Sequence, residues 1–355
     1  MSSADMLNKI QRHVGSFNAK EDNLAAAAEF RKTTGVHFVH SVCSIEGESL
    51  HSVEDALQAI KLWRCCTKGR IGGESKCKES TRKPFSIQSP EKKMLTMSLL
   101  DAGFDSLLET ETCLRGGVSR SSLNADKLHA TLALYVALKL VEGWETEPYP
   151  LLDVFKIKQL HSVLFESTGD SHSAGTYRST SAWTRQMNGE VHTYLSHGKI
   201  AKALNGLVRK VNTTIAEIFS EQNRTNLVPK LFHLVSSFFL EFEEIHPFHD
   251  GNGRVGRLLA AYLLAPVTPF GPNVLYFHSL NKPELQGGHF IFVNREPFLE
   301  SIQDDAEDGH PTRLAALFIE GVYVAWEMFS HLSSSPVMQL CQTSSNSEAS
   351  LESCN

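Results

Sequence analysis

The sequence predicts a mainly α-helical protein carrying one β-hairpin, on three observations. Apolar residues recur at roughly 3.6-residue spacing along most of the 355-residue chain. Alternation around an Asn-Gly pair, the strongest short-range hairpin signal, falls in one stretch between Gly175 and Leu195. With 20 Phe against 7 Tyr and 4 Trp, the core is packed largely by rings without a polar atom to satisfy.

Taken in order, residues 1–64 read as a helical N-terminal region. Leu24 to Phe30 is Ala-rich, and Val53, Ala56, Leu57, Ile60 and Leu62 form an apolar face. From Arg64 to Pro90 the pattern collapses. Seven of residues 64–83 are basic and two acidic, so 65–118 reads as an inserted, poorly ordered, solvated segment. Its Cys65, Cys66 and Cys77 lack zinc-ligand spacing and read as free thiols. Residues 119–332 form the expected core. Amphipathic helices are predicted over Leu123–Val141 and around Val154–Leu164, then over Ile200–Phe219 and Leu231–Ile245. Another starts at Val255 and is broken by Gly271-Pro272, and a last one runs from about Thr312 to Leu332. The hairpin, 178–195, turns at Asn188-Gly189. The tail 333–355 is Ser-rich and expected to be disordered.

Composition narrows the function classes. Lys+Arg 34 against Asp+Glu 40 gives a net charge of -6, which disfavours a nucleic-acid-coating surface. The longest apolar stretch, Leu258 to Val267, is about half the ~20 residues of a membrane span, so no membrane helix is expected. Seven Cys without a CxxC pair, and an N-terminus lacking an apolar signal core, point to a reduced, cytoplasmic setting.

The chemistry concentrates in HPFHDGNGRVGR, residues 246–257, between two predicted helices. Gly251, Asn252 and Gly253 offer backbone N–H groups ahead of a helix N-terminus, where anions are favoured. Arg254 and Arg257, three apart, can grip phosphate oxygens. Asp250 is a hard oxygen ligand suited to Mg²⁺ shared with phosphates. His246, with an ordinary pKa near 6.5, can accept a proton at neutral pH. GNG alone suits a helix-linking turn equally well. Base, anion nest and cation clamp together point to transfer of a phosphorus-containing group.

These twelve residues match in full the pattern HPFx[D/E]GNGRxxR, and the chain thereby resembles the Fic family. Flanking helices, the GxYR at Gly175–Arg178 and the hairpin extend the likeness over roughly 30–60 and 120–325. The resemblance implies a Fic-type helical core with a hairpin flap. It also implies a protein adenylyltransferase, moving AMP from ATP to a Ser, Thr or Tyr hydroxyl. By position, His246 would deprotonate that hydroxyl, and Asp250 would hold Mg²⁺ or Mn²⁺ on the α and β phosphates. Gly251, Asn252, Gly253 and Arg254 would cradle phosphates, Arg257 would bind the γ-phosphate, and the Phe248 ring would anchor the loop. His249, at the variable position, reads as a solvent-facing loop residue.

A second element lies upstream. Ser44 to Gly47, SIEG, resembles the inhibitory helix of autoinhibited Fic proteins, [S/T]xxxE[G/N], with Val42 where a hydroxyl residue is usual. The likeness implies that Glu46, on a helix around 40–50, pairs with Arg257 and denies it to the γ-phosphate. A carboxylate and a phosphate compete plausibly for one guanidinium. In some relatives the same Glu positions water to remove AMP, so de-AMPylation is an alternative, as is transfer of another phosphorus-linked group. A non-catalytic nucleotide- or peptide-binding adaptor would be free to lose His246 or Asp250, and neither is missing. The resemblance makes the hairpin the place where a protein substrate adds a strand, with Leu195-Ser196 where relatives often carry a Pro pair, and allows a homodimer. Where relatives have a Tyr pair for adenine, Pro297-Phe298-Leu299 stands, and Phe298 suits base stacking or core packing.

Overall fold

In a computed structural model, described over residues 1–17, 23–47, 50, 52–71, 125–144, 148–165, 173–186, 189–220, 226–270 and 295–333, helices dominate. In chain order they are α1 (Ser3–Phe17), α2 (Asn23–Ile45), α3 (Val53–Ile71), α4 (Ala125–Glu142) and α5 (Val154–Phe165). The hairpin strands β1 (Trp183–Arg185) and β2 (Val191–Thr193) come next. Then follow α6 (Ile200–Ser220), α7 (Leu227–Ile245), α8 (Asn252–Leu263), α9 (Arg295–Asp308) and α10 (Thr312–Ser333). No helix among the described residues is long and apolar enough to cross a membrane.

The core is organised around α8. From Val255 to Leu263 every residue is buried, because α2, α4, α5 and α7 pack around it. A helix apolar all round belongs inside a domain. The preceding α7 contributes Phe232, Phe238, Phe239 and Phe242, all at most 1% exposed, so these rings form the wall on which the loop joining the two helices rests. Both helices begin earlier than the apolar pattern indicates. α7 starts at Leu227 because Pro229, in its first turn, needs no N–H partner. α8 starts at Asn252 because Gly251, at φ 76, supplies a left-handed N-cap. It stops at Leu263, short of Gly271, and a 3₁₀ turn with Pro266 follows.

Other boundaries also differ from expectation. α3 continues to Ile71, past the start of the expected insert, because Arg64–Arg70 contains no Pro and a helix tolerates a single Gly such as Gly69. The remainder of the insert, Cys77, the tail and residues 271–294 lie outside the described residues. α9 carries no simple apolar stripe, and its buried side chains include Phe298, Ser301 and Asp305. Asp305 accepts from the backbone N–H of Arg313 at 3.0 Å and of Leu314 at 2.7 Å, capping α10 from a different helix. That cap exists only once the two helices meet.

The hairpin pairs Trp183 with Thr193, Thr184 with His192 and Arg185 with Val191. Gln186 N–H donates to the Glu190 carbonyl at 2.8 Å, and Gly189, at φ 88, takes the left-handed conformation that a hairpin turn needs. Asn188, the other half of the expected Asn-Gly turn, lies outside the described residues.

Candidate active site at the mouth of the central helix

His246 is the C-cap of α7 and takes a left-handed conformation, φ 45, rare for a residue with a side chain. Three contacts hold it there. Its N–H donates to the Phe242 carbonyl, and the Arg178 guanidinium donates to its carbonyl at 2.6 Å. The Tyr194 ring lies parallel to the imidazole at 3.8 Å. His246 Nδ1 is 3.3 Å from the Glu243 carbonyl, which only accepts, so Nδ1 carries the hydrogen and Nε2 presents a lone pair. Burial pushes the imidazole down to about 4, so it is neutral at pH 7.

The loop beyond is pinned from inside. Phe248, fully buried, stacks on the His161 ring at 3.9 Å. The Asn252 side chain accepts from the Phe248 N–H and donates to its carbonyl, both at 2.9 Å, closing the loop on itself. Only the backbone of Asn252 is therefore left to meet an anion. Gly251 backs onto the Phe165 ring so closely that a Cβ has no room. No side chain caps α8, whose first-turn N–H groups have no acceptor within the helix. Asp250 stands at the rim, its side chain 64% exposed, with Oδ2 3.2 Å from Arg254 Nη2. His249 is exposed.

Arg257 lies one turn deeper, its side chain only 3% exposed. Its Nη1 is 2.5 Å from Glu46 Oε1, so residues 211 positions apart form an ion pair. Glu46 follows the last turn of α2, and Gly47 reverses the chain there at φ 76 with its N–H on the Ser44 carbonyl. Gly253 faces this pair, and a Cβ there would sit 2.9 Å from Glu46 Oε1.

A model of the Fic/DOC family matches residues 151–264, the segment from the approach to α5 to the end of α8. Over that segment the chain is similar to the Fic/DOC family. Solved Fic structures share the fold at low identity. A Fic domain containing signaling protein from Bacteroides thetaiotaomicron aligns with TM-score 0.54 and 14% identity, over 92% of this chain and 97% of that one. Fic-1 from C. elegans aligns with TM-score 0.56 and 14% identity, over 94% and 74%. Among curated proteins, a ribonucleoside-diphosphate reductase small chain of Ostreid herpesvirus 1 is 24% identical over 232 residues, 62% of this chain. The matched part is 37% of that protein, so this chain corresponds to little more than a third of it.

Within the matched segment, structure brings together every motif residue singled out from sequence, and Glu46 joins them from just beyond α2, outside that segment. Phe298 does not offer a face to a base. It is fully buried, edge-on to Phe239, with the Arg257 guanidinium 5.0 Å over its ring. It packs in the core because α9 folds back on α7.

Four residues have roles that no local pattern announces. Arg178 donates to the carbonyls of Thr180, Leu195, Ile245 and His246, tying both ends of the flap to the catalytic loop. Tyr194 covers the imidazole, and Glu243 lies beneath it. His161 accepts from the Gly175 N–H at Nδ1, 2.8 Å, so its Nε2–H donates to the Asp250 carbonyl at 3.1 Å. The GxYR stretch was the available signal for Arg178 and Gly175.

Burial also pushes His161 down to about 4, against about 6.5 in an unfolded chain. Between those values the unfolded chain binds a proton that the folded protein refuses. Stability from this group is complete above about pH 6.5 and declines as pH falls toward 4, by up to about 1.4 kcal/mol per pH unit. His161→Phe, which keeps the ring stack, is expected to flatten the dependence of unfolding free energy on pH between 6.5 and 4.5 by about one proton. Urea titrations of both proteins across that range measure it, and an unchanged slope would contradict a neutral His161.

Proposed function

We propose that the protein is a Fic-type adenylyltransferase, moving AMP from ATP to a Ser, Thr or Tyr hydroxyl of a protein and restrained by Glu46. The observation that carries this reading is the convergence at one loop of a neutral His246 with Nε2 available, an uncapped helix start, and two arginines that each already hold a carboxylate. In the proposed step the target hydroxyl gives its proton to His246 Nε2 while its oxygen forms a bond to the α-phosphorus. The bond from that phosphorus to the β-phosphate oxygen breaks, and pyrophosphate leaves. The chain's part is positioning and charge stabilisation. Backbone N–H groups of α8 and the Arg254 guanidinium receive the phosphates, and Arg257 takes the γ-phosphate when Glu46 withdraws.

The residues present fit a divalent cation of the Mg²⁺ or Mn²⁺ kind. Asp250 is a single exposed carboxylate beside the anion nest, and Mg²⁺ typically takes one or two carboxylates together with substrate phosphates. Such an ion would neutralise charge on the α and β phosphates. A protein segment would lie along the flap, where Trp183 and Val191 leave apolar surface exposed.

Among the described residues no group of three or more His, Cys, Asp and Glu could hold a metal ion, so Asp250 would share its cation with the phosphates. The experiment is incubation of Glu46→Gly protein with Mg²⁺ and labelled ATP, CTP, GTP or UTP, reading label on the protein. Label from ATP alone is expected. Equal labelling from several nucleotides would refute adenine selectivity, and no label from any would refute nucleotidyl transfer.

A further inference from the structure

The last turn of α7 holds a carboxylate that neither the motif nor the brake uses. The Glu243 side chain is 16% exposed, with Oε2 3.9 Å from His246 Nδ1. Its other oxygen, Oε1, is sealed from solvent and has no hydrogen-bond partner among the described residues. A Cβ on Gly256 of α8 would sit 3.0 Å from that oxygen, so the glycine leaves the carboxyl its space. One residue on, the Arg257 Nε is likewise buried without a hydrogen-bond partner. A carboxyl group thus lies beside the imidazole and against the turn of α8 that carries the arginine Glu46 engages.

We propose that Glu243 is a positioning residue for His246, and that Glu46, through its hold on Arg257, sets the charge of Glu243 in the nucleotide-free protein. The inference rests on the transferase reading given above. The Glu243 backbone carbonyl already fixes the tautomer that leaves Nε2 free; an ionised carboxylate 3.9 Å behind Nδ1 adds electrostatic stabilisation of the imidazolium formed when the target's proton arrives. This is the role a carboxylate plays behind histidine in hydrolase triads.

The groups facing Glu243 are Arg257 on α8, Glu46 at the end of α2, His246, and Tyr194 on the flap. Around His246 itself stand Arg178, Asp250 and His192. Burial raises the Glu243 carboxyl to about 7; Arg257 pulls it down and Glu46 pushes it up. With Glu46 in place a substantial fraction of Glu243 is protonated at neutral pH. In the nucleotide-free protein, withdrawal of Glu46 removes the like charge and leaves the full field of Arg257, so the carboxyl titrates lower and Glu243 ionises.

Two measurements test this on the full chain. In carboxyl-¹³C-labelled protein without nucleotide, the Glu243 signal, assigned by its loss in Glu243→Gln, should titrate near neutrality and move at least one pH unit lower in Glu46→Gln. Titration in the ordinary carboxylate range in both proteins, or no shift between them, overturns control by Glu46 whether or not the protein transfers AMP. In the Glu46→Gly background, Glu243→Gln should lower kcat for self-labelling about 10-fold or more with KM for ATP within about 2-fold. It should also abolish an acid limb of the pH–rate profile that Glu243→Asp retains. An unchanged kcat, or a loss confined to KM, overturns the role at the base. Absence of labelling in Glu46→Gly itself would instead remove the transferase reading and with it this role.

Discussion

Glu46→Gly is expected to convert a nearly silent protein into one that labels itself from Mg²⁺ and ATP at least about 10-fold faster, a barrier change of about 1.4 kcal/mol or more. Two consequences of one contact make the result distinctive. The Arg257 guanidinium is almost fully buried and has Glu46 on Nη1 at 2.5 Å. Removing the carboxylate releases that arginine for the γ-phosphate and also takes away its ion-pair partner. The cost lies below the figure for a fully buried pair, about 3–5 kcal/mol, because Glu46 is 28% exposed and Glu243 can ionise nearby. The variant should therefore melt lower than the wild type without nucleotide and recover more of that loss on adding ATP. Adding His246→Ala should abolish labelling without abolishing the ATP-induced rise in Tm, because the imidazole serves proton transfer and the arginines serve binding. Labelling by Glu46→Gly no faster than wild type would end the brake hypothesis.

Arg178→Ala is expected to lower Tm by roughly 10 °C and to remove labelling even when Glu46 is also replaced. The guanidinium is buried and donates to the carbonyls of Thr180, Leu195, Ile245 and His246, while its own backbone N–H reaches the Pro247 carbonyl at 3.0 Å. Each carbonyl left unsatisfied in a buried setting costs about 1–3 kcal/mol. For a domain of this size roughly 2–4 °C is lost per kcal/mol. The carbonyls belong to both ends of the flap and to the end of α7, so their release frees the flap and loosens His246 together. Limited proteolysis should then cut within 178–195. Arg178→Lys should rescue little, since one ammonium cannot span the directions a planar fork reaches. A stable, protease-resistant Arg178→Ala protein would show that the hairpin is held by its other ties, such as the His192–Glu244 pair at 2.9 Å.

Both predictions turn on contacts that differ in how far sequence reaches them. The Glu46–Arg257 pair was accessible because each partner sits in a short pattern, SIEG and HPFHDGNGRVGR, even though 211 positions separate them. Arg178 sits in a short pattern too, but its acceptors are backbone carbonyls, which carry no residue identity. Glu243 and Tyr194 read simply as the polar and aromatic ends of a helix and a strand until α7 and the flap meet over His246. α9 escaped notice because Phe298, Ser301 and Asp305 mix apolar with polar, and Asp305 becomes worth burying only when the α10 N–H groups are there to receive it.

By itself the sequence determined the helical class, the single hairpin and the chemical groups at the mouth of α8. These follow from local quantities: periodicity, glycine where the backbone must turn left-handed, and side chains of fixed charge. Tertiary structure alone decided the burial of Phe298 and the tautomer of His161. It also decided where Glu243 lies relative to base and arginine. Those outcomes depend on desolvation and on which distant donor or acceptor lies within about 3 Å, and neither exists until the helices pack.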